Sequence, residues 1–186
     1  MSDQVISPQD EQFYLMAREH IRAFRRKYHE RVLDAERVLE IGPGLDTSPL
    51  VETLDIDCTN NADITADITD CIPVMSDTYD TVIAMEVLEH TTDPFAALRE
   101  IRRVMKDGGH LLASAPWNFR IHGPQPDLWR FNQNTWRLLL KDWDIIEMNV
   151  LETPDRWLMP IHINVLARCN KAKCVNRLTM KWEQIR

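Results

Sequence analysis

The chain has 186 residues with 22 basic and 29 acidic side chains, which gives a formal charge of -7. This length suits one domain and is too short for two of ordinary size. The composition, 44% hydrophobic and 27% charged, excludes a disordered tail and a collagen-like fibre. No stretch approaches the ~18 apolar residues of a membrane span, and the amino terminus does not resemble a secretory signal. The four cysteines lack CxxC spacing, so we expect reduced thiols, no zinc site and a cytoplasmic protein. Glu86, Glu89 and His90 are potential metal ligands at close spacing, but we interpret them as a helix-start cluster and predict no metal site.

The charge is unevenly distributed along the chain. Residues 35–94 carry one basic and fourteen acidic side chains, whereas residues 1–34 are balanced and residues 95–186 carry fifteen basic and nine acidic ones. An acidic middle segment repels phosphate, so a polyanionic ligand is not expected there. The basic residues near the carboxyl terminus are interpreted as solvated, and no nucleic-acid module accompanies them.

The predicted elements alternate between strands and helices. The amino-terminal half predicts a helix over 8–33, a strand at 37–42, a second near 51–57 and a short third at 63–67. In the carboxyl-terminal half, the pattern predicts a strand at 80–87 and a helix that begins at Asp93-Pro94 and ends at Asp107–Gly109. It then predicts a strand at 110–115, a helix capped by Asn134, and strands at 144–151 and 161–168. This alternation indicates an α/β fold with a doubly wound, mostly parallel sheet.

The first strand runs directly into Gly42-Pro43-Gly44, a turn that allows a ligand to approach the backbone closely. A dinucleotide fingerprint would place a third glycine at position 47, which is Thr47, and Asp46 would face a pyrophosphate. NAD and FAD are therefore disfavoured. S-adenosylmethionine has no phosphate, and its sulfonium, ammonium and ribose hydroxyl groups suit acidic side chains.

Residues 37–116 resemble the core of class I S-adenosylmethionine-dependent methyltransferases. The segment VLEIGPG (38–44) resembles their first motif, and residues 80–116 resemble their fourth strand, next helix and fifth strand. The resemblance implies a seven-stranded Rossmann-like sheet with helices on both faces and an antiparallel last strand. It also implies one domain over 1–186, with an N-terminal helical segment (1–34), a cofactor-binding core (35–116) and an acceptor-side region with the C-terminal strands (117–186).

The same resemblance implies the residues that bind the cofactor. Gly42 and Gly44 would border its methionine part, and Glu40 would orient the ammonium group. Asp55 would accept hydrogen bonds from the ribose, and it is preferred over Asp57 because its spacing matches the family. The remaining contacts would be made by Asp67 and Ile68 at the adenine and by Glu86 beside the methionine moiety.

The acceptor site is expected after the fifth strand, where open α/β sheets bind ligands. HGPQPDLWRF (122–131) resembles a sequence found in a subset of these methyltransferases. A hydroxyl acceptor needs a base, for which His122 is the first candidate, with Asp127 as its orienting partner, and His90 the second. His20, His29 and His110 are interpreted as surface or turn residues.

All six tryptophans lie in the last 70 residues. Trp117 and Trp129, together with Arg130, are predicted to line an acceptor pocket, whereas Trp136 and Trp143 are predicted to belong to the core. The sequence thus favours methyl transfer to a small-molecule hydroxyl, on a sugar or glycan, with no nucleic-acid or membrane partner. N- or carboxyl-methylation of another small molecule and a non-catalytic cofactor-binding scaffold are alternatives, and the oligomeric state is not predicted.

Overall fold

The structure, a computed structural model, describes residues 7–28, 34–43, 51–152 and 159–173. Its centre is a seven-stranded sheet in the order β3-β2-β1-β4-β5-β7-β6. The strands are β1 (Val38–Ile41), β2 (Glu52–Asp55), β3 (Ile64–Thr65), β4 (Tyr79–Met85), β5 (Met105–Pro116), β6 (Trp143–Leu151) and β7 (His162–Cys169). The first five strands are parallel, and β7 runs antiparallel to both β5 and β6. The predicted sheet, including its antiparallel last strand, is confirmed.

Within the described residues, three α-helices flank the sheet: α1 (Pro8–Lys27), α2 (Pro94–Val104) and α3 (Gln133–Leu139). Each begins at a side-chain cap, since Ser7, Asp93 and Asn132 accept hydrogen bonds from backbone N–H groups of the first turn. Short 3₁₀ turns at Cys58–Asn60 and Leu88–His90 follow β2 and β4. No helix within the described ranges is long and apolar enough to cross a membrane.

Successive residues of the central strands belong to opposite faces of the sheet. On one face, Val82 packs in the main core with α2 and α3, whose buried residues include Ile101 and Trp136. On the other face, Ile83 packs with Phe24 of α1. Because side chains alternate along a strand, the two clusters cover the two faces, as the doubly wound prediction requires.

Three predicted boundaries are corrected. α1 ends at Lys27, and most of the predicted extension to residue 33 lies outside the described residues. α2 ends at Val104, because the backbone is already extended at Met105, so Gly108 and Gly109 lie within β5 instead of stopping the helix. α3 is capped by Asn132, whose side chain accepts from the Thr135 N–H at 2.9 Å, and not by Asn134, which falls inside the helix.

Candidate active site

A cavity of about 1170 Å³ lies where α1 meets the carboxyl ends of β1, β4 and β5. Its wall includes Glu40 within β1, Gly42 directly after β1, Glu86 after β4, and His122 in the segment after β5. Parallel strands end at one edge of the sheet, so the topology brings together residues that are far apart in the chain. The size exceeds that of an ordinary small-molecule pocket and is sufficient for two ligands side by side.

Glu40 and Gly42 form one end of the cavity. Glu40 is 3% exposed, and one of its carboxylate oxygens, Oε1, forms an ion pair with Arg25 at 2.9 Å. The other oxygen, Oε2, is buried without a hydrogen-bond partner, which leaves an acceptor for a cationic group. The Gly42 backbone has φ +63°, and its N–H donates to the Leu54 carbonyl at 2.8 Å. Gly44 lies outside the described residues.

Three of the predicted cofactor residues, Asp55, Asp67 and Ile68, lie along the same edge but outside the cavity wall. Asp55 accepts from the Asp57 N–H at 2.9 Å and from the Asn60 amide at 3.0 Å. Asp67 accepts from the N–H and hydroxyl of Thr69, and the neighbouring Ile68 is buried. These contacts hold each carboxylate in a fixed orientation, and every carboxylate oxygen can accept more than one hydrogen bond.

Glu86 is held firmly at the end of β4. It adopts φ +57°, and its N–H donates to the carbonyl and hydroxyl oxygens of Ser114. Its carboxylate accepts from the Ser114 hydroxyl at 2.7 Å and from His162 Nε2 at 2.5 Å. Burial opposes ionisation, but the interactions with His162 and Ser114 outweigh it and hold the pKa of Glu86 below its ordinary value.

His162 and His20 form a polar cluster that the sequence did not predict. His162 is fully buried in β7, and its Nδ1 lies 3.4 Å from Nδ1 of His20 on α1. His20 Nε2 contacts the Asn149 side-chain oxygen, and the Asn164 amide donates to His20 Nδ1 at 3.1 Å. Burial and the adjacent His162 lower the pKa of His20. His20 is thus hydrogen-bonded and packed, as expected for a histidine without a catalytic role, but it is half-buried instead of lying on the helix surface. Its position on the apolar stripe of α1 was the available signal.

The predicted catalytic histidines do come together. His90 and His122 have ring centroids 5.1 Å apart at an interplanar angle of 66°. The Nε2 atom of each ring lies 3.8 Å from Oε1 of Glu89. Glu89 is completely buried, and burial, reinforced by the charge of Glu86, raises the pKa of its carboxyl well above the ordinary value. The sequence offered Glu89, with Glu86 and His90, as a potential metal ligand but favoured a helix-start cluster, and it did not bring His122 into this group.

Asp127 lies beside His122 as predicted. Its Oδ2 accepts from the His122 backbone N–H at 2.8 Å and lies 3.0 Å from His122 Nδ1, although these last two atoms lack hydrogen-bond alignment. Arg130 binds both carboxylate oxygens, at 2.5 and 2.8 Å. Burial alone would raise the pKa of Asp127, but Arg130 and His122 lower it to about 2. Asp127 is therefore a fixed negative charge next to His122.

The three predicted acceptor-binding residues are not among those that line the cavity. The Trp129 indole donates to the Thr91 carbonyl at 2.8 Å, and its ring stacks against Phe131. Arg130 is engaged by Asp127, while Trp117 donates its backbone N–H to Ile161. Aromatic and basic groups at this end of the cavity come instead from Tyr14, Phe119 and Arg120. Trp136 and Trp143 are buried, which confirms the prediction that they belong to the core.

The sheet order, the glycine turn after β1 and the acidic residues at the strand ends define a Rossmann-like fold of the methyltransferase type. Residues 30–113 match the family model described as a methyltransferase domain. Over this segment, which is a little under half of its length, the chain is similar to class I S-adenosylmethionine-dependent methyltransferases, and S-adenosylmethionine is the cofactor that this similarity implies.

Individual relatives share short or distant similarity. The ubiquinone biosynthesis O-methyltransferase of Aliivibrio fischeri is 45% identical over 38 residues, which are 20% of this chain and 16% of that protein. A Thermotoga maritima methyltransferase described as a possible histamine N-methyltransferase matches with a TM-score of 0.60 and 14% identity, covering 86% of this chain and 94% of the other. A Haloferax volcanii protein solved with the Trm112 methyltransferase activator matches with a TM-score of 0.56 and 15% identity, covering 88% and 100%. At these identities, the structural matches show the fold alone.

Proposed function

We propose that this protein transfers a methyl group from S-adenosylmethionine to a hydroxyl group of a small molecule, on a sugar or glycan. The observation that carries the proposal is one cavity that joins the Glu40–Gly42 turn to the His90–His122 pair. A methyl donor and an acceptor bound at these two ends would lie next to each other, which is the principal requirement of a displacement reaction.

The cofactor end fits the donor chemically. The unpartnered Oε2 of Glu40 suits an ammonium group, and Asp55 and Asp67 retain acceptor capacity for ribose hydroxyls and the adenine amine. Gly44, Ile68 and Glu86 complete the proposed cofactor set. When bound, S-adenosylmethionine supplies an electrophilic methyl group on a positively charged sulfur.

The acceptor end fits a hydroxyl group. A hydroxyl must lose its proton to become an effective nucleophile, and we assign its activation to His122 and His90, with Asp127 as the positioning residue of His122. Tyr14 and Phe119, stacked with centroids 6.4 Å apart, offer aromatic surface to a sugar ring. The same wall contains Arg18, Arg22 and Arg120, which favour an acceptor that also carries a negative charge.

The proposal is tested by methyl transfer to a panel of hydroxyl, amine and carboxylate acceptors, measured as S-adenosylhomocysteine formed and as mass gained by the acceptor. His122→Ala should lower transfer to a hydroxyl by about 10²–10⁴-fold, because it removes an activating group. His110→Ala, at a histidine in the central part of β5, is the matched control and should retain the rate.

Other outcomes would replace the proposal. Transfer to a carboxylate that hardly depends on His122 would indicate carboxyl methylation, and transfer to an amine would indicate N-methylation. Cofactor binding with no transfer to any acceptor would support a non-catalytic scaffold.

A further inference from the structure

Glu89 is a buried acid without the partners that such a group requires. It is 0% exposed, and neither of its carboxylate oxygens has a hydrogen-bond partner. Glu86 and Asp127 add negative charge around it, and Arg130, which supplies positive charge, is bound bidentately to Asp127. Isolated buried carboxylates are strongly unfavourable unless they are neutralised, paired or bound to a metal ion.

The two histidines present their Nε2 atoms to this carboxylate. The His90 Nδ1–H donates to the Pro126 carbonyl at 2.8 Å, which leaves the lone pair on Nε2. His122 is held by Asp127 through its backbone N–H at 2.8 Å, and its Nε2 is the ring nitrogen directed to Glu89. A carbonyl partner on the far nitrogen, as His90 has, is typical of metal-binding histidines, because it fixes the ring orientation and increases its basicity.

We infer that Glu89, His90 and His122 form a binding site for a divalent transition-metal ion at the acceptor end of the cavity. One ligand atom from each residue lies within 4.8 Å of the others. Both Nε2 atoms are 3.8 Å from Glu89 Oε1, a few tenths of an ångström beyond the roughly 3.0–3.4 Å between neighbouring ligands that bind at about 2.1 Å. A small side-chain adjustment therefore brings the set to ligand distance.

The donor set indicates which ions fit. Two imidazoles and one carboxylate suit Zn²⁺, Mn²⁺, Co²⁺ or Fe²⁺ better than Mg²⁺ or Ca²⁺, which prefer oxygen ligands. Three protein ligands leave positions open, and both histidines line the cavity. This inference rests on the proposed function in one respect: an ion here would bind the acceptor hydroxyl and increase its acidity, so that the hydroxyl proton passes to water and the two histidines act as ligands instead of as bases.

The test measures metal binding with neither cofactor nor acceptor present. The full chain, treated with a chelator and dialysed, is titrated with Co²⁺ and with Mn²⁺ by calorimetry, and the Co²⁺ absorption bands are recorded. We expect one ion per chain. Asp127→Asn, which changes a residue that positions His122 without binding the ion, should weaken metal binding by roughly 10–100-fold. Glu89→Gln, which removes a ligand, should weaken it by more than that.

Two controls separate a lost site from a lost fold. His110→Asn changes a histidine away from the cavity and should leave the Co²⁺ affinity unchanged. Circular dichroism and S-adenosylmethionine binding of Glu89→Gln report whether the variant is folded. Absence of Co²⁺ and Mn²⁺ binding to the wild-type chain, or equal binding by a folded Glu89→Gln variant, would overturn the inference while leaving the proposed methyl transfer open.

Discussion

Two buried glutamates mark the two ends of the cavity, and each has at least one oxygen without a partner. Glu40 shares its charge with Arg25 and leaves Oε2 open, whereas both oxygens of Glu89 are unpartnered. Unsatisfied buried acceptors are rare in folded proteins, so each one points to a bound partner. In our account, Glu40 is completed by the ammonium group of the cofactor and Glu89 by a metal ion.

Gly42 is a residue whose substitution should test the turn directly. Its φ of +63° is unfavourable for other residues, and a Cβ atom there would lie 2.9 Å from Val87 Cγ2. We expect Gly42→Ala to lower the free energy of unfolding by about 1–2 kcal/mol from the backbone conformation alone, with the clash adding to it. Urea denaturation measures the change.

A second variant separates the two causes. Val87→Ala removes the contacting methyl group, so the double variant Gly42→Ala/Val87→Ala should be more stable than the sum of the single effects predicts. Strict additivity would show that the side-chain clash contributes nothing and that the backbone conformation accounts for the whole loss.

At the scale of elements, α1 is attached to the sheet by polar contacts as well as apolar ones. At its carboxyl end, Lys27 donates to both carboxylate oxygens of Glu147 on β6, at 2.8 and 2.6 Å, and Tyr28 also donates to Glu147. Burial opposes ionisation of Glu147, but the hydrogen bonds from Lys27 and Tyr28 outweigh it and lower its pKa below the ordinary 4.5. This carboxylate therefore holds the helix that forms one wall of the cavity.

The pH dependence of stability follows from the direction of that shift. A lowered folded-state pKa stabilises the protein above the ordinary pKa, and this contribution is lost as the pH falls through the folded-state value. We expect Glu147→Gln to be less stable than the wild type at neutral pH, by about 1 kcal/mol or less because Lys27 is exposed. The difference should shrink as the pH falls below about 4.5. Thermal unfolding from pH 7 to pH 3 measures it, and a difference that stays constant would contradict the assignment.

The elements differ in how far the sequence predicted them. The apolar runs of β4 and β7 and the Asp93-Pro94 start of α2 carry local signals, and the structure confirms them. The sequence placed the end of α2 too late, at Asp107–Gly109, because glycines commonly end helices. In the structure, Met105 pairs with Tyr79 of β4, so β5 begins directly after the helix. The His20–His162 contact joins residues 142 apart in sequence, and no local pattern predicts such a contact.

The same contrast holds within the site. The association of His122 with Asp127 spans five residues in one short motif, and the structure confirms their proximity. Trp129 was assigned to an acceptor pocket on residue type alone, but its indole N–H is bound to Thr91. Residue type does not reveal which way a side chain points in an irregular segment, so the part of the cavity wall formed by Tyr14 and Phe119 could not be predicted.

At the scale of the whole molecule, charge and topology act together. The acidic segment 35–94 supplies the carboxylates at the ends of β1, β2 and β4, while α1 places arginines on the opposite wall of the cavity. A cationic donor and an anionic acceptor would thus each meet side chains of opposite charge. In our account, this arrangement allows the molecule to hold two different ligands in one cavity.

The most direct test of this account is to measure, by calorimetry, the binding of S-adenosylmethionine to the wild-type chain, with NAD titrated separately as a control ligand. We expect S-adenosylmethionine to bind and NAD not to bind. Glu40→Gln should weaken binding by about 10–100-fold, as expected for loss of a hydrogen bond to a charged group. Asp55→Ala should also weaken it, whereas Asp57→Ala, which removes only the cap of the Cys58–Asn60 turn, should not. A folded wild-type protein that does not bind S-adenosylmethionine would contradict the account.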